Sequence, residues 1–421
     1  MTASRRQSLT SPAYIMLIAV ALLVAGGVVM VYSASAVSDY VKFGDSAYHA
    51  KRQAIYALGG IVALAVASRW DFRTGRKAVP MMRPATVAWA VWGASLAGLV
   101  AVDIAGVGKW GATRSIDLGP VFIQPSEFAK VGCLLVVASL IVQWRRQTIT
   151  GGQFAFRVSA ALLPVVVLIM LQPDMGTTMS IVAVTAVMLW LGGLRARWFA
   201  AMLAAGLPTV ALLIWKAGYR MERITGFLDP WADPADSGYQ IIQSLYAFGS
   251  GGLFGVGLGL SRQKFFYLPA AHNDFIFAII GEETGLVGTL CVVAAFAAFA
   301  YAGTRIAIEC KDPFGRLMAG GLTSMIVIQA LMNMAAVTRL MPITGIPLPF
   351  VSAGGSSLVL TLASVGLILA VSRHSGGARV KLVRKTTSRG SARASSGERG
   401  RDSRSHLPGA DSGRPATRRG A

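Results

Sequence analysis

Residues 13–32 read AYIMLIAVALLVAGGVVMVY, twenty consecutive positions without a charged side chain. A helix of about 20 mainly apolar residues is long enough to cross the hydrocarbon core of a bilayer. The same criterion identifies nine further runs, at 53–68, 85–103, 127–143, 157–171, 177–193, 198–216, 275–303, 316–337 and 355–372. The sequence therefore predicts an all-α polytopic membrane protein with about ten transmembrane helices.

The composition of the whole chain agrees with a protein whose main solvent is lipid. Of the 421 residues, 54% are hydrophobic and only 14% are charged, and the mean hydropathy is +0.57. The net charge of +21 invites a nucleic-acid interpretation, but thirteen of the 40 Lys and Arg residues follow Ser372, and most others lie between apolar runs. That distribution is typical of basic cytoplasmic segments, so no nucleic-acid partner is expected.

The basic residues also predict the orientation of the helices. With a cytoplasmic N-terminus (residues 1–12), the cytoplasmic connections hold most of the Lys and Arg, and the outer connections hold most of the acids. The positive-inside rule then places both termini in the cytoplasm. The alternative is a cleaved signal peptide ending near Ala36, but the apolar run is longer than the usual ~7–15-residue core of such a peptide.

Two segments differ from the apolar runs of the membrane domain, which spans residues 13–373. Residues 217–274 form a long outer loop between the seventh and eighth predicted helices, with a short helix predicted over 239–248 and Gly-rich turns over 249–259. Residues 374–421 form a polar, basic tail that is predicted to be disordered and cytoplasmic. The tail's charge suits either attraction to the anionic inner leaflet or docking of a cytoplasmic partner.

Polar residues cluster at the helix ends predicted to face the outer leaflet, at 124–130, 172–177, 220–236, 264–283 and 342–357. Each cluster has a purely structural interpretation. Glu127 and Lys130 share a helix face and suit a local ion pair, and Asp274 is the expected N-cap of the eighth helix. Polar groups at membrane depth are often functional, however, so the common position of the clusters favours one polar cavity between helices.

Such a cavity would combine acids with cations. The basic side chains near it suit phosphate or pyrophosphate, and they are Arg114, Lys130, Arg220, Arg223 and Lys264. The acids suit a divalent metal or the role of general base. A lipid pyrophosphate would need both features. The Gly-rich segment 249–264 lacks the Gly-Lys ending of a Walker loop, and the three cysteines and four histidines show no metal-binding spacing.

Several long motifs, in this order along the chain, resemble the SEDS (shape, elongation, division and sporulation) family. They are QPSE at 124–127, QPDMGT at 172–177, FLDPW at 227–231, GYQIIQS at 238–244, GSGG at 249–252, LP at 268–269, HNDFIFA at 272–278, PLP at 347–349 and SAGGSS at 352–357. The resemblance covers about residues 14–373. GLG at 257–259 followed by SRQK at 261–264, together with the long basic tail, resembles the division or sporulation branches more than the elongation branch.

The resemblance implies a glycosyltransferase that polymerises lipid II on the outer face of the bacterial plasma membrane, at the division septum. By the same resemblance, Asp274 is the general base that takes the proton from the acceptor's 4-hydroxyl. That oxygen attacks the donor's anomeric carbon with inversion, and undecaprenyl pyrophosphate leaves. Because the leaving group gains negative charge, cations are needed. A divalent cation (Mg²⁺ or Mn²⁺) is expected, and no organic cofactor.

The resemblance also extends the candidate site beyond Asp274. The side chains expected to bind substrate are Arg114, Gln124, Ser126, Glu127, Lys130, Gln172, Arg220, Arg223, Gln240, Ser244, Lys264, His272, Glu283, Ser352 and Ser356. The implied partners are lipid II and undecaprenyl-linked glycan, membrane lipids, a single-pass class B penicillin-binding protein that cross-links the product, and other membrane proteins of the division machinery.

The chain departs from the family pattern at a few positions. Ser115 replaces the usual Trp, Ala270 stands where Glu commonly follows the proline, Asn273 replaces Thr, and Ala353 replaces Tyr. The change at Ser115 removes one contact with lipid or partner and leaves the expected chemistry intact.

Two other functions suit the same cavity. A lipid II flippase needs a path open to both leaflets, whereas the polar clusters lie mainly at the outer end. A non-catalytic scaffold for the penicillin-binding protein predicts indifference to replacement of Asp274 and Lys130.

Overall fold

A computed structural model of the chain describes residues 10–72, 84–105, 107–109, 112–117, 122–200, 204, 218–269 and 271–374, and every structural statement below concerns these residues. The helices are α1 (Ser11–Phe43), α2 (Tyr48–Ala67), α3 (Pro84–Ala105), α4 (Pro125–Arg145), α5 (Gly151–Leu171), α6 (Met175–Leu191), α7 (Gly218–Leu228), α8 (Tyr239–Gly251), α9 (Ile276–Glu309), α10 (Pro313–Val337) and α11 (Ser356–His374). The strands are β1 (Val107–Lys109), β2 (Ala112–Asp117) and β3 (Phe122–Ile123).

The predicted membrane helices correspond closely to the observed ones. Within the described residues, eight helices are long and apolar enough to cross a membrane, and α6 is a shorter apolar helix. The helical, polytopic prediction is therefore confirmed. The seventh predicted span, 198–216, falls largely outside the described residues, as does the tail from residue 375 onward. The total of ten helices and the disorder of the tail stay predictions.

Helix starts follow local capping chemistry. Thr150 and Gln153 form a reciprocal capping box at the start of α5. The Asp174 carboxylate accepts a hydrogen bond from the Thr177 backbone amide at the start of α6 (3.0 Å). Asp312 caps α10 in the same way. These caps satisfy backbone amides that have no partner within the first helical turn.

Helix α4 is the central helix of the bundle. In its most apolar stretch, 89% of the residues are buried, compared with 22% in α2 and in α3. It packs against α3, α5, α6 and α10. A helix covered by protein on all sides can carry polar side chains away from lipid, because other helices supply their partners.

The connections that flank the candidate site meet at one end of the bundle, here called the loop end. They are the α1–α2, α3–α4 and α5–α6 connections, the segment before α9 and the segment between α10 and α11. Residues within or directly next to each of them line one cavity. The α3–α4 connection carries a small antiparallel sheet, ordered β1-β2-β3, in which Ile116 pairs with Ile123. The all-α prediction did not include this sheet, whose three strands total eleven residues.

The long loop before α9 contains the predicted short helix. This helix, α8, extends to Gly251, three residues beyond the predicted end at 248. The turns that follow use the φ values of +81° at Gly255 and +109° at Gly257, which glycine adopts without a steric penalty. The Glu282 carboxylate fastens the segment, because it accepts hydrogen bonds from the Ser261 hydroxyl (2.5 Å) and the Arg262 amide (2.9 Å).

Helix α9 is broken near its start. Gly285 has φ +67° and ψ −162°, so a short helix, 276–284, precedes the longer apolar part. At the break, the Leu286 amide donates to the Gly252 carbonyl (2.9 Å). The N-cap is Phe275, which has no side-chain cap. The prediction that Asp274 caps this helix is therefore wrong, because the helix begins one residue later and the Asp274 side chain lines a cavity instead.

Candidate active site

A cavity of about 500 Å³ opens at the loop end. Five of the predicted site residues line it, namely Gln124, Glu127, His272, Asp274 and Ser356. Other polar side chains on its wall are Tyr48, His49, Arg52, Gln53, Tyr56, Ser115, Asp174, Thr177, Asn273 and Ser357. Four of the five predicted polar clusters thus contribute residues to one cavity, and no described side chain of 220–236 is among those that line it.

Asp274 lies directly before α9, in a partly buried position on the cavity wall. Its backbone carbonyl accepts a hydrogen bond from Nδ2 of Asn333 in α10 (2.8 Å). Gly345 lies against its carboxylate: a Cβ built at Gly345 would be 3.7 Å from Oδ2, and the φ of +69° there favours glycine. The carboxylate therefore faces the cavity from a segment fixed by its neighbours.

Glu127 and Lys130 form an ion pair in the first turns of α4. Nζ of Lys130 is 2.9 Å from Oε1 of Glu127 and donates to Oε1 of Gln329 in α10 (2.9 Å). The Ser357 hydroxyl donates to Oε2 of Glu127 (3.1 Å). Glu127 lines the cavity, and Lys130 lies buried behind it. Glu127 therefore forms the predicted local ion pair and also lines the candidate site.

The starts of α4 and α11 meet at the cavity wall. The Gln124 amide donates to the Ser356 hydroxyl (3.2 Å), and the Gln124 side chain donates to the Ser126 hydroxyl (3.1 Å). Ser126 is buried and lies outside the cavity lining. Gln124 and Ser356 thus present polar atoms to the cavity, whereas Ser126 supports Gln124.

The α5–α6 connection contributes one acid. Asp174 lines the cavity while it caps α6, and its second carboxylate oxygen accepts from the Thr177 hydroxyl (2.8 Å). Gln172, predicted to bind substrate, instead donates to the Leu99 carbonyl (3.1 Å) and to the Asp103 carboxylate (3.0 Å). It ties α5 to α3 and does not line the cavity.

Arg52 is a cavity residue that the sequence analysis missed. Its guanidinium donates to the hydroxyl of Tyr48 (2.9 Å) and to that of Tyr56 (3.4 Å), and lies over the rings of Tyr48 and Phe122. The spacing of Tyr48, Arg52 and Tyr56 on one helix face was the available signal. The apolar run that predicts the second helix begins at residue 53, so the arginine falls just outside it.

A histidine pair lies beside Asp274. The His272 and His49 rings are 4.6 Å apart, and Nδ1 of His49 lies 2.5 Å from the carboxylate of Asp39. Burial, assisted by the neighbouring His49 and Lys42 and opposed by Asp39, lowers the pKa of His272 from 6.5 to about 4. His272 is therefore neutral near pH 7, and its imidazole can donate or accept a hydrogen bond.

Several predicted site residues lie away from the cavity. Lys264 and Glu283 pair with each other at 3.6 Å. The Ser33 hydroxyl also donates to Glu283 (2.6 Å). The Ser244 hydroxyl donates to the Val337 carbonyl (2.8 Å). The Ser352 hydroxyl donates to the Asn273 carbonyl and accepts from the Leu348 amide. Because these side chains hold the long loop and its neighbouring elements together, their predicted role in substrate binding finds no support in this geometry.

The remaining predicted site residues are three arginines and one glutamine. Arg223 lies in α7, where its guanidinium donates to the Ile343 carbonyl (3.2 Å). Gln240 lies in the first turn of α8 and does not line the cavity. The backbones of Arg114 and Arg220 belong to β2 and α7, but their side chains lie outside the described part of the chain.

The acids of the cavity come from three separate elements. Among the described residues, no group of three or more His, Cys, Asp or Glu side chains is arranged to hold a metal ion. Mg²⁺ commonly binds through one or two carboxylates together with substrate phosphates. Asp274 or Glu127 suits that mode, so the divalent cation stays a prediction that depends on bound substrate.

A carboxylate, a fixed guanidinium and a neutral imidazole thus face one cavity at the end of a helical membrane bundle. That arrangement defines a membrane protein with a polar site suited to proton transfer on a charged molecule. A family model described as a cell cycle protein, FtsW/RodA/SpoVE, matches residues 13–377. The chain belongs to this family, and the resemblance to the SEDS family is confirmed.

Two relatives illustrate the similarity in sequence. Stage V sporulation protein E of Bacillus subtilis is 42% identical over 374 residues, which are 87% of this chain and 98% of that protein. A probable peptidoglycan glycosyltransferase FtsW of Geobacter sulfurreducens is 43% identical over 368 residues, 86% of this chain and 95% of the relative.

Two solved structures share the fold. A chain from a peptidoglycan synthase complex, solved to study the coordination of polymerization and crosslinking, has a TM-score of 0.68 at 30% identity and covers 86% of this chain and 97% of its own. The rod shape determining protein RodA of Thermus thermophilus has a TM-score of 0.61 at 28% identity, with 85% and 95% covered.

Proposed function

We propose that this chain is a peptidoglycan glycosyltransferase that polymerises lipid II, with Asp274 as its general base. The observation that carries the proposal is the placement of Asp274 in a cavity of about 500 Å³ that Arg52 also lines. The name of the Geobacter relative and its high coverage support the same activity. A base and a fixed cation in one site suit a reaction in which a hydroxyl attacks and a pyrophosphate leaves.

In this mechanism, Asp274 accepts the proton of the acceptor sugar's 4-hydroxyl as that oxygen attacks the anomeric carbon of the donor. The bond between the anomeric carbon and the pyrophosphate oxygen breaks, its electron pair stays with the pyrophosphate, and the anomeric configuration inverts. Arg52 stabilises the charge that develops on the leaving group. Glu127 is already paired with Lys130, which lies buried behind it, so its negative charge is partly offset from the side away from the substrate.

The wider setting of the enzyme is part of the proposal. The similar chain in a peptidoglycan synthase complex supports a penicillin-binding protein as partner. A class B enzyme that cross-links the glycan, work at the division septum, and cytoplasmic termini follow from the family resemblance and the distribution of basic residues. A divalent cation that neutralises the pyrophosphate is expected alongside Arg52.

The test is lipid II polymerisation by the purified protein with its class B partner and Mg²⁺ or Mn²⁺, with products resolved as glycan ladders. Asp274→Asn is expected to lower the rate by about 10²–10⁴-fold, the usual contribution of a general base. Asp45→Asn is the matched control, since Asp45 is partly exposed, pairs with Lys51 and lies outside the cavity lining. It should retain wild-type activity.

Other results would redirect the assignment. Ladders of equal intensity from Asp274→Asn and wild type would remove Asp274 from the mechanism. An absence of ladders from a folded wild-type protein with a competent partner would favour the flippase or the scaffold. A lipid II translocation assay in vesicles would then separate those two.

A further inference from the structure

Three successive backbone carbonyls before α9 accept hydrogen bonds from other elements. The His272 carbonyl accepts from the Ala353 amide (3.0 Å), and the Asn273 carbonyl accepts from the Ser352 hydroxyl (2.6 Å). The Asp274 carbonyl accepts from Nδ2 of Asn333 (2.8 Å). The segment that carries the candidate base is thus fastened to α10 and to the α10–α11 connection.

Asn333 has a distinct position among these donors. It is the donor that belongs to a membrane helix, and it is 2% exposed. Its amide nitrogen donates to the Asp274 carbonyl and to the Ile346 carbonyl, both at 2.8 Å. Two carbonyl acceptors require an NH₂ group, so the orientation of the amide follows from its partners. One side chain therefore fixes two segments of the cavity wall, the second next to Gly345.

We propose that Asn333 is a positioning residue for Asp274, an inference that rests on the proposed function. Asn333 does not line the main cavity, so it acts on the reaction only through the two backbone segments that it holds, at Asp274 and at Ile346. A general base must lie within hydrogen-bond reach of the proton that it takes. A misplacement of about 1 Å can lower a rate by about 10²-fold.

Two further observations distinguish this role from ordinary packing. The start of α9 has no side-chain cap, so the Asp274 segment gains no anchoring from a cap of its own helix. Oδ1 of Asn333 is buried and makes no hydrogen bond to any described residue. An apolar side chain of similar size would avoid that unfavourable burial, but it would leave the Asp274 and Ile346 carbonyls without this donor.

The test compares Asn333→Leu with Thr323→Val in full-length protein together with its partner. Leucine keeps the volume and removes the amide. Thr323 is a buried residue of the same helix whose hydroxyl donates within the helix to the Ala319 carbonyl (2.7 Å), so its variant also loses one buried hydrogen bond. For each protein, kcat and KM for lipid II and the melting temperature are measured. Ser352→Ala is a second variant that loosens the same segment.

The expected result is a loss in kcat of at least about tenfold for Asn333→Leu, with KM within about threefold and kcat of Thr323→Val near wild type. Ser352→Ala should show a smaller loss of the same kind. An unchanged kcat for Asn333→Leu, or an equal loss in Thr323→Val, would overturn the inference. If either outcome occurs while wild type polymerises lipid II and Asp274→Asn does not, only the role of Asn333 is overturned. An inactive wild type would overturn the proposed function and this inference together.

Discussion

Lys130 and Glu127 form a buried ion pair one helical turn apart, with 2.9 Å between Nζ and Oε1 and side chains 4% and 6% exposed. Removal of one partner leaves a charge in a low-dielectric interior. We therefore expect Lys130→Met to lower the free energy of unfolding by about 3–5 kcal/mol. Glu127→Gln combined with Lys130→Met should recover part of that loss, because no unpaired charge remains.

Thermal unfolding in detergent of the two single variants and the double variant measures this coupling. If the double variant's loss of stability relative to wild type equals the sum of the two single-variant losses, the two charges do not depend on each other.

Arg52 is expected to recognise the pyrophosphate by the planar shape of its guanidinium. Arg52→Lys keeps the charge but loses the fixed contact with Tyr48, Tyr56 and Phe122. The expected loss in kcat/KM for lipid II is about 10- to 100-fold, corresponding to one charge-assisted hydrogen bond of about 1.5–3 kcal/mol.

Steady-state polymerisation assays with added pyrophosphate check this prediction, because inhibition by pyrophosphate should weaken in the same variant. Arg305→Lys is the control, since Arg305 is partly exposed and pairs with Glu309 within α9. Equal activity of the two variants would argue against Arg52 as a binding residue.

Arg339 has a strained, left-handed backbone, and its side chain contacts the end of α7. Its φ is +59°, and its guanidinium donates to the Phe227 and Leu228 carbonyls at the end of α7 (3.3 and 3.0 Å). Arg339→Ala keeps the left-handed backbone and loses both contacts, whereas Arg339→Gly loses the contacts and relieves the strain. The glycine variant should be more stable than the alanine variant by about 1 kcal/mol. Melting temperatures in detergent that rank alanine above glycine would contradict this account.

The pKa of His272 predicts a pH dependence of stability. The folded protein lowers this pKa from 6.5 to about 4, chiefly through burial, so the folded state binds fewer protons at this site than the unfolded state. The destabilising contribution is absent above pH 6.5 and grows as the pH falls from 6.5 towards 4. His272→Gln should remove this contribution, although other acids titrate in both proteins.

The measurement is the difference in melting temperature between wild type and His272→Gln from pH 4 to pH 8 in nanodiscs. As the pH falls, the melting temperature of His272→Gln should rise relative to that of wild type. A difference that stays constant over that range would show that His272 does not lose its proton on folding.

Most of the fold followed from local sequence patterns. Long, mainly apolar runs gave the positions of nine helices, because crossing a bilayer requires chiefly a sufficient length of apolar residues. The break at Gly285 and the sheet around Ile116 were missed. A single glycine in an apolar run is common within membrane helices, and a three-residue strand such as β1 is too short to show a hydrophobic period.

The candidate site was predicted at the level of motifs and less well at the level of side chains. Asp274, Glu127 and Gln124 line the cavity, because their motifs begin helices at the same end of the bundle. Lys264 and Gln172 were assigned by charge and motif alone. Their partners, Glu283 and Asp103, lie on other elements, and a linear sequence does not show which polar residues meet across helices.

The central position of α4 has a consequence for the order of synthesis. Gln329, which accepts a hydrogen bond from Lys130, lies 199 residues further along the chain, so about 10–40 s of translation separate the two. Throughout that interval, Lys130 has Glu127 within its own helix as a counter-ion. The pair therefore leaves the insertion machinery as a nearly neutral unit, and α10 encloses it when it emerges.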